Sequence, residues 1–276
     1  MANRLTSAPC PLSARSTDSA SPEPESGFAS KAILLIAPAS YDRRLEPVDI
    51  SQRLLGAARD LEAEQLDPLV EELRTVGPEA IEGDAARIAF WLNAYNARLL
   101  HALGERPRQG HLFRHRSMFR STGYEVGGRN YTLDVIEHGL LRGNRRAPLA
   151  LRRTLSGTDP RLGAAPVHPD PRIHFALNCG AVSCPPIRAY DAAGLDAQLD
   201  GAARGYLEAE SELDREAKTL VLPGLIKLYR ADFDVVGGPM AFALPLLPRA
   251  EAEWLRSNPG VRLDWSRFDW NLTGPT

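Results

Sequence analysis

Apolar positions in the first half of the chain recur with helical spacing. Between Asp49 and Thr75 they return every three or four residues, and the charged positions between them predict a solvated face. Proline suits the first turn of a helix, so Pro68 predicts the start of a second helix within this stretch. The same periodicity runs from Asp84, a residue that caps helices well, to a glycine at Gly104. We therefore expect a helical N-terminal part with residues 84–104 as its central helix.

The central helix carries two asparagines on a face of small residues. Small neighbours around Asn93 and Asn96 would let another stretch of backbone approach closely. Buried amides need hydrogen-bond partners, so both side chains are expected to be bonded inside the protein. We interpret them as structural clamps on a neighbouring loop, with direct contact to substrate as the alternative.

The second half of the chain mixes short apolar runs with turn residues. Tyr124–Leu133 predicts a hairpin that turns at Gly127-Gly128, and Val135–Arg142 predicts a short helix after it. Helices first and scattered strands later, with few β-α-β alternations, favour the α+β class. We expect a helical N-terminal part packed on a small mixed or antiparallel sheet. Further elements are predicted as helices at 195–207, 224–233 and around Trp254, and as strands at 218–223 and 265–272.

The short helix after the hairpin holds two candidate functional residues. Asp134 and Glu137 have the spacing of a capping box, so Glu137 is either a partner in that cap or a functional group. His138 follows it directly and has no such local explanation. It is either a general base or ligand, or a histidine satisfied within the core.

One stretch, from Pro171 to Arg188, concentrates the reactive side chains. Apolar residues at 173, 175 and 177 alternate with more polar ones, which predicts a strand with His174 and Asn178 on the face away from the core. Gly180 then opens a turn with Cys179 and Cys184 on either side.

The paired prolines after this turn bear on the reactivity of the second cysteine. Pro185-Pro186 predicts the first turn of a helix, which would place Cys184 at a helix N-terminus. The helix dipole and free N–H groups at that position favour a thiolate.

Composition and charge narrow the classes of function. A chain of 276 residues with 43% hydrophobic and 25% charged residues is typical of a soluble globular protein with a substantial core. A net charge of -2 gives no electrostatic case for nucleic acid or an anionic membrane. Three cysteines do not form a disulfide framework and C-x4-C is not a redox motif, so we expect reduced thiols, with Cys10 as an inert filler.

The N-terminal residues predict a different kind of structure. Residues 1–27 are rich in Ser, Pro, Ala and Glu and are expected to form a disordered tail, followed by a single globular domain over 28–276. The run Ala32–Ala37 is apolar but too short to span a bilayer, and is expected to form a strand or short helix. No secretory signal is recognised at the start, so a cytoplasmic protein is expected.

Four motifs resemble those of a known family. They are Phe90-Trp-Leu-Asn-Ala-Tyr-Asn-Ala, the stretch Tyr131–Arg142, the stretch Asp170–Tyr190 and the weaker Phe268-Asp-Trp-Asn-Leu. In this order they resemble the domain-of-unknown-function 547 family over residues 84–272. The resemblance implies a thiol-dependent enzyme and, by analogy alone, a papain-like or transglutaminase-like fold.

The first functional hypothesis is a cysteine hydrolase or acyltransferase that acts on an amide or thioester bond of a small-molecule or peptide substrate. It needs a thiolate, an imidazole and an orienting group. Cys184 is the expected nucleophile, and Cys179 is its rival. The remaining assignments are His174 or His138 as base, Glu137 or Asn178 as orienting group, and Asn93, Asn96 and Arg188 as substrate-binding residues.

Two alternatives use the same residues without thiol catalysis. His174, Cys179 and Cys184, with His138 or Glu137 as fourth ligand, could hold zinc, although their spacing fits no common zinc motif. We therefore expect no cofactor, with zinc as the alternative. In the other reading the cysteines pack, and the polar residues form a buried network in a non-catalytic binding module. The sequence does not indicate an oligomeric state.

Overall fold

A computed structural model describes residues 46–60, 62–105, 110–148 and 150–272. The predicted tail at 1–27, together with Cys10 and the run Ala32–Ala37, lies outside these residues. No helix in the described part is long and apolar enough to cross a bilayer.

The N-terminal part is helical, as the periodicity predicted. The buried faces of the first and third helices pack against each other. The start of the second helix was predicted wrongly, because Pro68 lies inside that helix and not at its beginning. Pro68 is exposed, so water can hydrate the backbone carbonyl that loses its N–H partner. The helices are α1 (Pro47–Asp60), α2 (Ala63–Leu73) and α3 (Asp84–Glu105).

A hairpin and a short helix follow. The 3₁₀ segment Leu112–His115 and helix α4 (Ser117–Ser121) lead into strands β1 (Gly123–Val126) and β2 (Arg129–Thr132), which pair antiparallel. The turn lies at Gly127 and Gly128, both with positive φ, as the hairpin prediction required. The predicted short helix is a π-helix, Val135–Leu141. Asp134 makes no side-chain cap there, so the predicted capping box is wrong.

The C-terminal part contains the small mixed sheet that the α+β prediction expected. Strand β3 (Glu212–Asp214) pairs antiparallel with β4 (Thr219–Leu222), which pairs parallel with β5 (Arg262–Trp265). The predicted closing strand at 265–272 is displaced, since β5 ends where it was expected to begin. The helices of this part are α5 (Leu195–Glu210), α6 (Gly224–Leu228), α7 (Pro239–Ala243) and α8 (Arg249–Ser257).

The predicted strand at 173–178 is absent, and a 3₁₀ helix, Pro171–Phe175, takes its place. Asp170 caps this helix, since its Oδ1 accepts from the Arg172 N–H at 2.8 Å, and Pro171 presets the first helical φ. The alternation misled because residues 173–177 are all buried, so the polar and apolar positions do not mark two faces.

The predicted helix at Pro185-Pro186 is also absent. Residues 185–190 are irregular, and the Cys184 N–H instead closes a turn onto the Ala181 carbonyl at 3.0 Å. Cys184 therefore does not lie at a helix N-terminus.

The core consists of two large apolar clusters and a small third one. The first joins α1, α2, α3, the hairpin and the π-helix, and the second joins α5, the mixed sheet, α6 and α7. The third surrounds Leu112, Ala181 and Leu272. It is held by backbone bonds from the C-terminal segment, which pairs with Leu112 on one side and Val182 on the other, both at 2.8 Å. This C-terminal segment therefore ties the loop near residue 112 to the cysteine loop.

Candidate functional site

One cavity of about 510 Å³ lies among these elements. Its volume is within the range of about 300–1,000 Å³ usual for small-molecule sites. Its walls bring together all six residues that the sequence predicted as catalytic candidates, which come from two separate stretches of the chain. These residues are Glu137, His138, His174, Asn178, Cys179 and Cys184.

The cysteine loop differs from the expectation of reduced thiols, because Cys179 and Cys184 are joined by a disulfide. The chain reverses at Gly180, whose φ is +83°, and this turn brings the two sulfurs together despite the C-x4-C spacing. Asn178 holds the loop closed: its Nδ2 donates to the Pro185 carbonyl at 2.7 Å, and its Oδ1 accepts from the Gly180 N–H at 2.6 Å. Its amide therefore bonds the loop backbone and no histidine.

His174 is tied to an aspartate that the sequence did not suggest. Its Nε2 lies 2.8 Å from Oδ2 of Asp232, and the ring stacks on Tyr229 with centroids 3.9 Å apart. Asp232 also accepts from Arg142, at 2.5 Å from Nε and 3.1 Å from Nη2. The histidine side chain is 2% exposed and the aspartate 7%, so the pair is nearly dry.

Burial and charge shift the pKa values of this pair in defined directions. Burial raises the pKa of Asp232, but hydrogen bonds from His174 and Arg142 outweigh it and hold the pKa below the ordinary value of a carboxyl. Burial lowers the pKa of His174, and the bond to Asp232 offsets this only in part. The resting pair is therefore a carboxylate with a neutral imidazole.

The partners of the two histidines fix which nitrogen carries the proton. A carboxylate only accepts, so the neutral ring of His174 carries its proton on Nε2 and has a lone pair on Nδ1. His138 is arranged the other way. A guanidinium only donates, and Nη1 of Arg142 lies 3.0 Å from Nδ1 of His138, so the lone pair of that ring is already occupied.

Glu137 belongs to the same network. Tyr229 donates to its Oε1 at 2.7 Å and Tyr95 to its Oε2 at 3.4 Å. Burial raises the pKa of Glu137, but His138 and the Tyr229 hydroxyl outweigh it, and the pKa lies below the ordinary value. Oε1 also lies 3.4 Å from Nδ1 of His138, farther than Arg142 does, so the Arg142 contact decides the role of that nitrogen.

The two asparagines of α3 bond to backbone, as the clamp interpretation expected. Asn93 donates to the Tyr190 carbonyl at 2.8 Å and accepts from the same residue's N–H at 2.9 Å. Asn96 bonds the backbone just before the cysteine loop in the same way. It donates to the Ala176 carbonyl at 2.9 Å and accepts from the Asn178 N–H at 3.1 Å. Neither asparagine lines the cavity, and neither does the exposed Arg188.

Aromatic side chains form another part of the cavity wall. Trp270 lies 4.3 Å from Phe268 and 5.1 Å from Phe113, measured between ring centroids. The two cysteines pack against the same small cluster as Phe268 and Trp270. We call the residues Phe113, Phe119, Phe268 and Trp270 the aromatic wall.

Sequence reasoning missed three members of the network: Arg142, Tyr229 and Asp232. Asp232 is 58 residues from His174, and no local spacing links them. Arg142 could have been found, because it follows His138 by four residues on the predicted helix, the spacing at which helical side chains meet.

Comparison with known proteins finds a family model that matches slightly less than half of the chain. Residues 79–207 match the model of the family described as "Protein of unknown function, DUF547", which confirms the resemblance carried by the first three motifs. The fourth motif, which begins at Phe268, lies outside the matched residues. No curated protein and no solved structure matched the chain. In the described part of the chain, no group of three or more His, Cys, Asp or Glu side chains could hold a metal ion.

Proposed function

We propose that this protein is a cysteine-dependent hydrolase or acyltransferase that acts on amide or thioester bonds. Cys184 is the nucleophile, His174 the base and Asp232 the positioning residue that orients the base. One observation carries the proposal: Cys184 shares a cavity with an imidazole that a buried carboxylate holds at 2.8 Å. Thiol, imidazole and an orienting amide or carboxylate are also the parts of a papain-like or transglutaminase-like site.

Cys184 is preferred to Cys179 because of a backbone contact. The Cys179 N–H points at the sulfur of Cys184 at a distance of 3.0 Å. This contact belongs to the disulfide-bonded loop. A hydrogen bond to the charged form of a group favours that form, so the same N–H, kept after reduction, favours a thiolate on Cys184.

His174 is preferred to His138 because its lone pair is available. Within the described residues, Nδ1 of His174 makes no hydrogen bond, whereas Nδ1 of His138 is taken by Arg142. The lowered pKa of His174 keeps the ring neutral near pH 7, which a general base requires.

The reaction begins from the reduced loop. A dithiol reductant supplies two electrons and two protons, and the Cys179–Cys184 disulfide becomes two thiols. Nδ1 of His174 takes the Cys184 proton, and the thiolate attacks the substrate carbonyl carbon. The bond to the leaving nitrogen or sulfur breaks, and that atom takes the proton from the imidazolium.

The second half of the reaction releases the acyl group. Water, or another nucleophile, loses a proton to His174 and attacks the thioester carbon, and the Cys184 sulfur leaves and is reprotonated. Asp232 stays ionised throughout and stabilises the imidazolium formed in each half.

The test uses the reduced full chain with Cys10→Ser, so that only two thiols remain. Alkylation by iodoacetamide is followed at each cysteine against pH by mass spectrometry. We expect the apparent pKa of Cys184 to lie below the ordinary value of about 8.5, and His174→Gln to change its pH profile. Cys179→Ala and Cys184→Ala form a matched pair: only the second should prevent acylation by an activated thioester. Full acylation in Cys184→Ala would overturn the assignment.

A further inference from the structure

We infer that the substrate of this cavity is an acyl compound with an apolar chain and an anionic group, and that Arg116 and Arg120 receive the anion. The inference rests on the proposed function for the reacting bond, but its binding element stands on the walls of the cavity alone.

The apolar part of the cavity is large enough for a chain or ring. The aromatic wall forms one part of the lining, and leucines from three further elements extend it. Apolar area removed from water contributes about 25 cal/mol per Å², so this lining favours an apolar group over a polar one. The added leucines are Leu112, Leu177, Leu225 and Leu228.

Two arginines line the same cavity as the aromatic wall. Arg116 and Arg120 line the cavity, and both are exposed. They are four residues apart, at the start and within α4, so their side chains leave the same side of the helix. Neither forms an ion pair with any residue of the described part. Two unpaired guanidinium groups on one side match the oxygens of one carboxylate or phosphate.

The acidic residues of the lining do not cancel these charges. Glu137 is engaged by Tyr229 and Tyr95, well inside the protein. Asp134 is half-buried; burial raises its pKa, and the positive charges of His138 and Arg120 oppose that rise, so this carboxyl lies in the field of Arg120 without forming an ion pair with it. Two guanidinium groups near this one carboxyl leave a net positive charge. The unpaired charge that a ligand meets at this wall is therefore positive.

The experiment compares three ligands with the same ten-carbon chain: decanoate, decanol and decyltrimethylammonium. Isothermal titration calorimetry on the full-length protein measures the affinity of each. Two exposed charge pairs are worth about 1 kcal/mol together, which corresponds to a factor of about five, so we expect decanoate to bind about fivefold tighter than decanol. The cationic ligand should bind most weakly. Raising the salt concentration should shrink the difference.

A matched set of variants assigns the preference to the two residues. Arg116→Gln with Arg120→Gln should make decanoate and decanol bind equally while leaving the affinity for decanol unchanged. Arg114→Gln is the control, because Arg114 is also exposed, lies on the same segment and does not line the cavity. It should keep the preference for decanoate.

The outcomes separate this inference from the proposed function. Equal affinity for all three ligands, no binding of any of them, or a preference kept in the double variant would overturn the inference even if Cys184 proves to be a nucleophile. A preference for decanoate that vanishes in the double variant would support it even if Cys184 proves unreactive, in which case only the proposed chemistry fails.

Discussion

Replacing Asp232 by asparagine tests both the stability and the chemistry assigned to the buried network. The carboxylate accepts from two nitrogens of Arg142, at 2.5 and 3.1 Å, and from His174 at 2.8 Å. An amide of the same shape keeps one acceptor oxygen but carries no charge and presents an NH₂ to one of these donors. Asp232→Asn therefore leaves the guanidinium of Arg142 buried without its counter-charge.

The expected loss of stability follows from how deeply the Arg142–Asp232 pair is buried. The side chains of Arg142 and Asp232 are 5% and 7% exposed, so solvent screens the interaction little. Removing one partner of a buried pair costs about 3–5 kcal/mol, and since one acceptor is kept we expect about 3 kcal/mol. For a domain of this size that is a fall in Tm of about 6–12 °C. Arg142→Met combined with Asp232→Asn should lose less than Asp232→Asn alone, because the unpaired charge is gone.

The lowered pKa of Asp232 decides how its contribution to stability changes with pH. Its stabilisation is fully present above the unfolded value of about 3.9 and is lost as the pH falls through the folded value. The free energies of unfolding of the wild type and Asp232→Asn should therefore converge in strong acid.

Urea unfolding at pH 7 measures the loss of stability, and acylation of Cys184 measures the effect on the base. We expect acylation to fall by about 10²-fold or more, because an amide can hold the wrong tautomer of His174. Asp234→Asn is the control, since Asp234 is exposed two residues away and should change the stability by less than about 0.5 kcal/mol. If Asp232→Asn and Asp234→Asn unfolded at the same urea concentration, the reasoning about the buried pair would be refuted.

Three further predictions follow from the same contacts. Because burial lowers the pKa of His174, the unfolded chain binds a proton below about pH 6.5 that the folded chain does not, so stability should fall from pH 7 to pH 5; urea titrations should show a smaller fall in His174→Gln. Asn96→Ala leaves two buried backbone groups without partners and should cost about 2–4 kcal/mol, whereas the exposed Asn130→Ala should leave the unfolding midpoint nearly unchanged. The disulfide-bonded protein should not be acylated at Cys184 until it is reduced, and Cys179→Ala should react without reductant; rapid acylation of the oxidised protein would contradict this.

Secondary-structure elements whose sequence signals lie within a few residues of each other were predicted well. Residues 84–104 form α3 almost to the residue, because helical periodicity acts within a few positions. The predicted cap by Asp84 is wrong, since its carboxylate accepts from the backbone N–H groups of Val167 and His168. The hairpin turns at Gly127 and Gly128 because both positions need a positive φ, which glycine adopts without strain. In each case the information lies inside the element.

Alternation failed where both faces of a segment are buried. Within residues 173–177 the polar His174 is as buried as its apolar neighbours. The alternation of polar and apolar residues therefore did not indicate which side chains face solvent. The local signals that did operate, the Asp170 cap and Pro171, favour a helical turn. A cap followed by proline was therefore the better predictor here.

The location of the candidate site was predictable because its reactive residues cluster in two motifs. Glu137 with His138, and His174 with the two cysteines, were selected by residue type and do line one cavity. Their partners were not predictable in the same way. Tyr229 and Asp232 lie in a stretch that predicts only a short helix, and nothing local marks the aspartate as buried.

The position of the network explains why its partners are distant in sequence. Arg142 directly follows the π-helix, whose residues belong to the first apolar cluster, and Asp232 directly precedes Phe233 of the second. His174 lies between Ile173 of the first cluster and Phe175 of the second. The three charged or polar groups therefore meet where the two clusters join. Each cluster must be folded before its residue of the network can reach the others. Because a buried aspartate is stable only with its partners in place, the bond that orients His174 also fastens the two clusters together. Orientation of the proposed base and cohesion of the fold should consequently be lost together, and variants that loosen either cluster should impair the base without touching it.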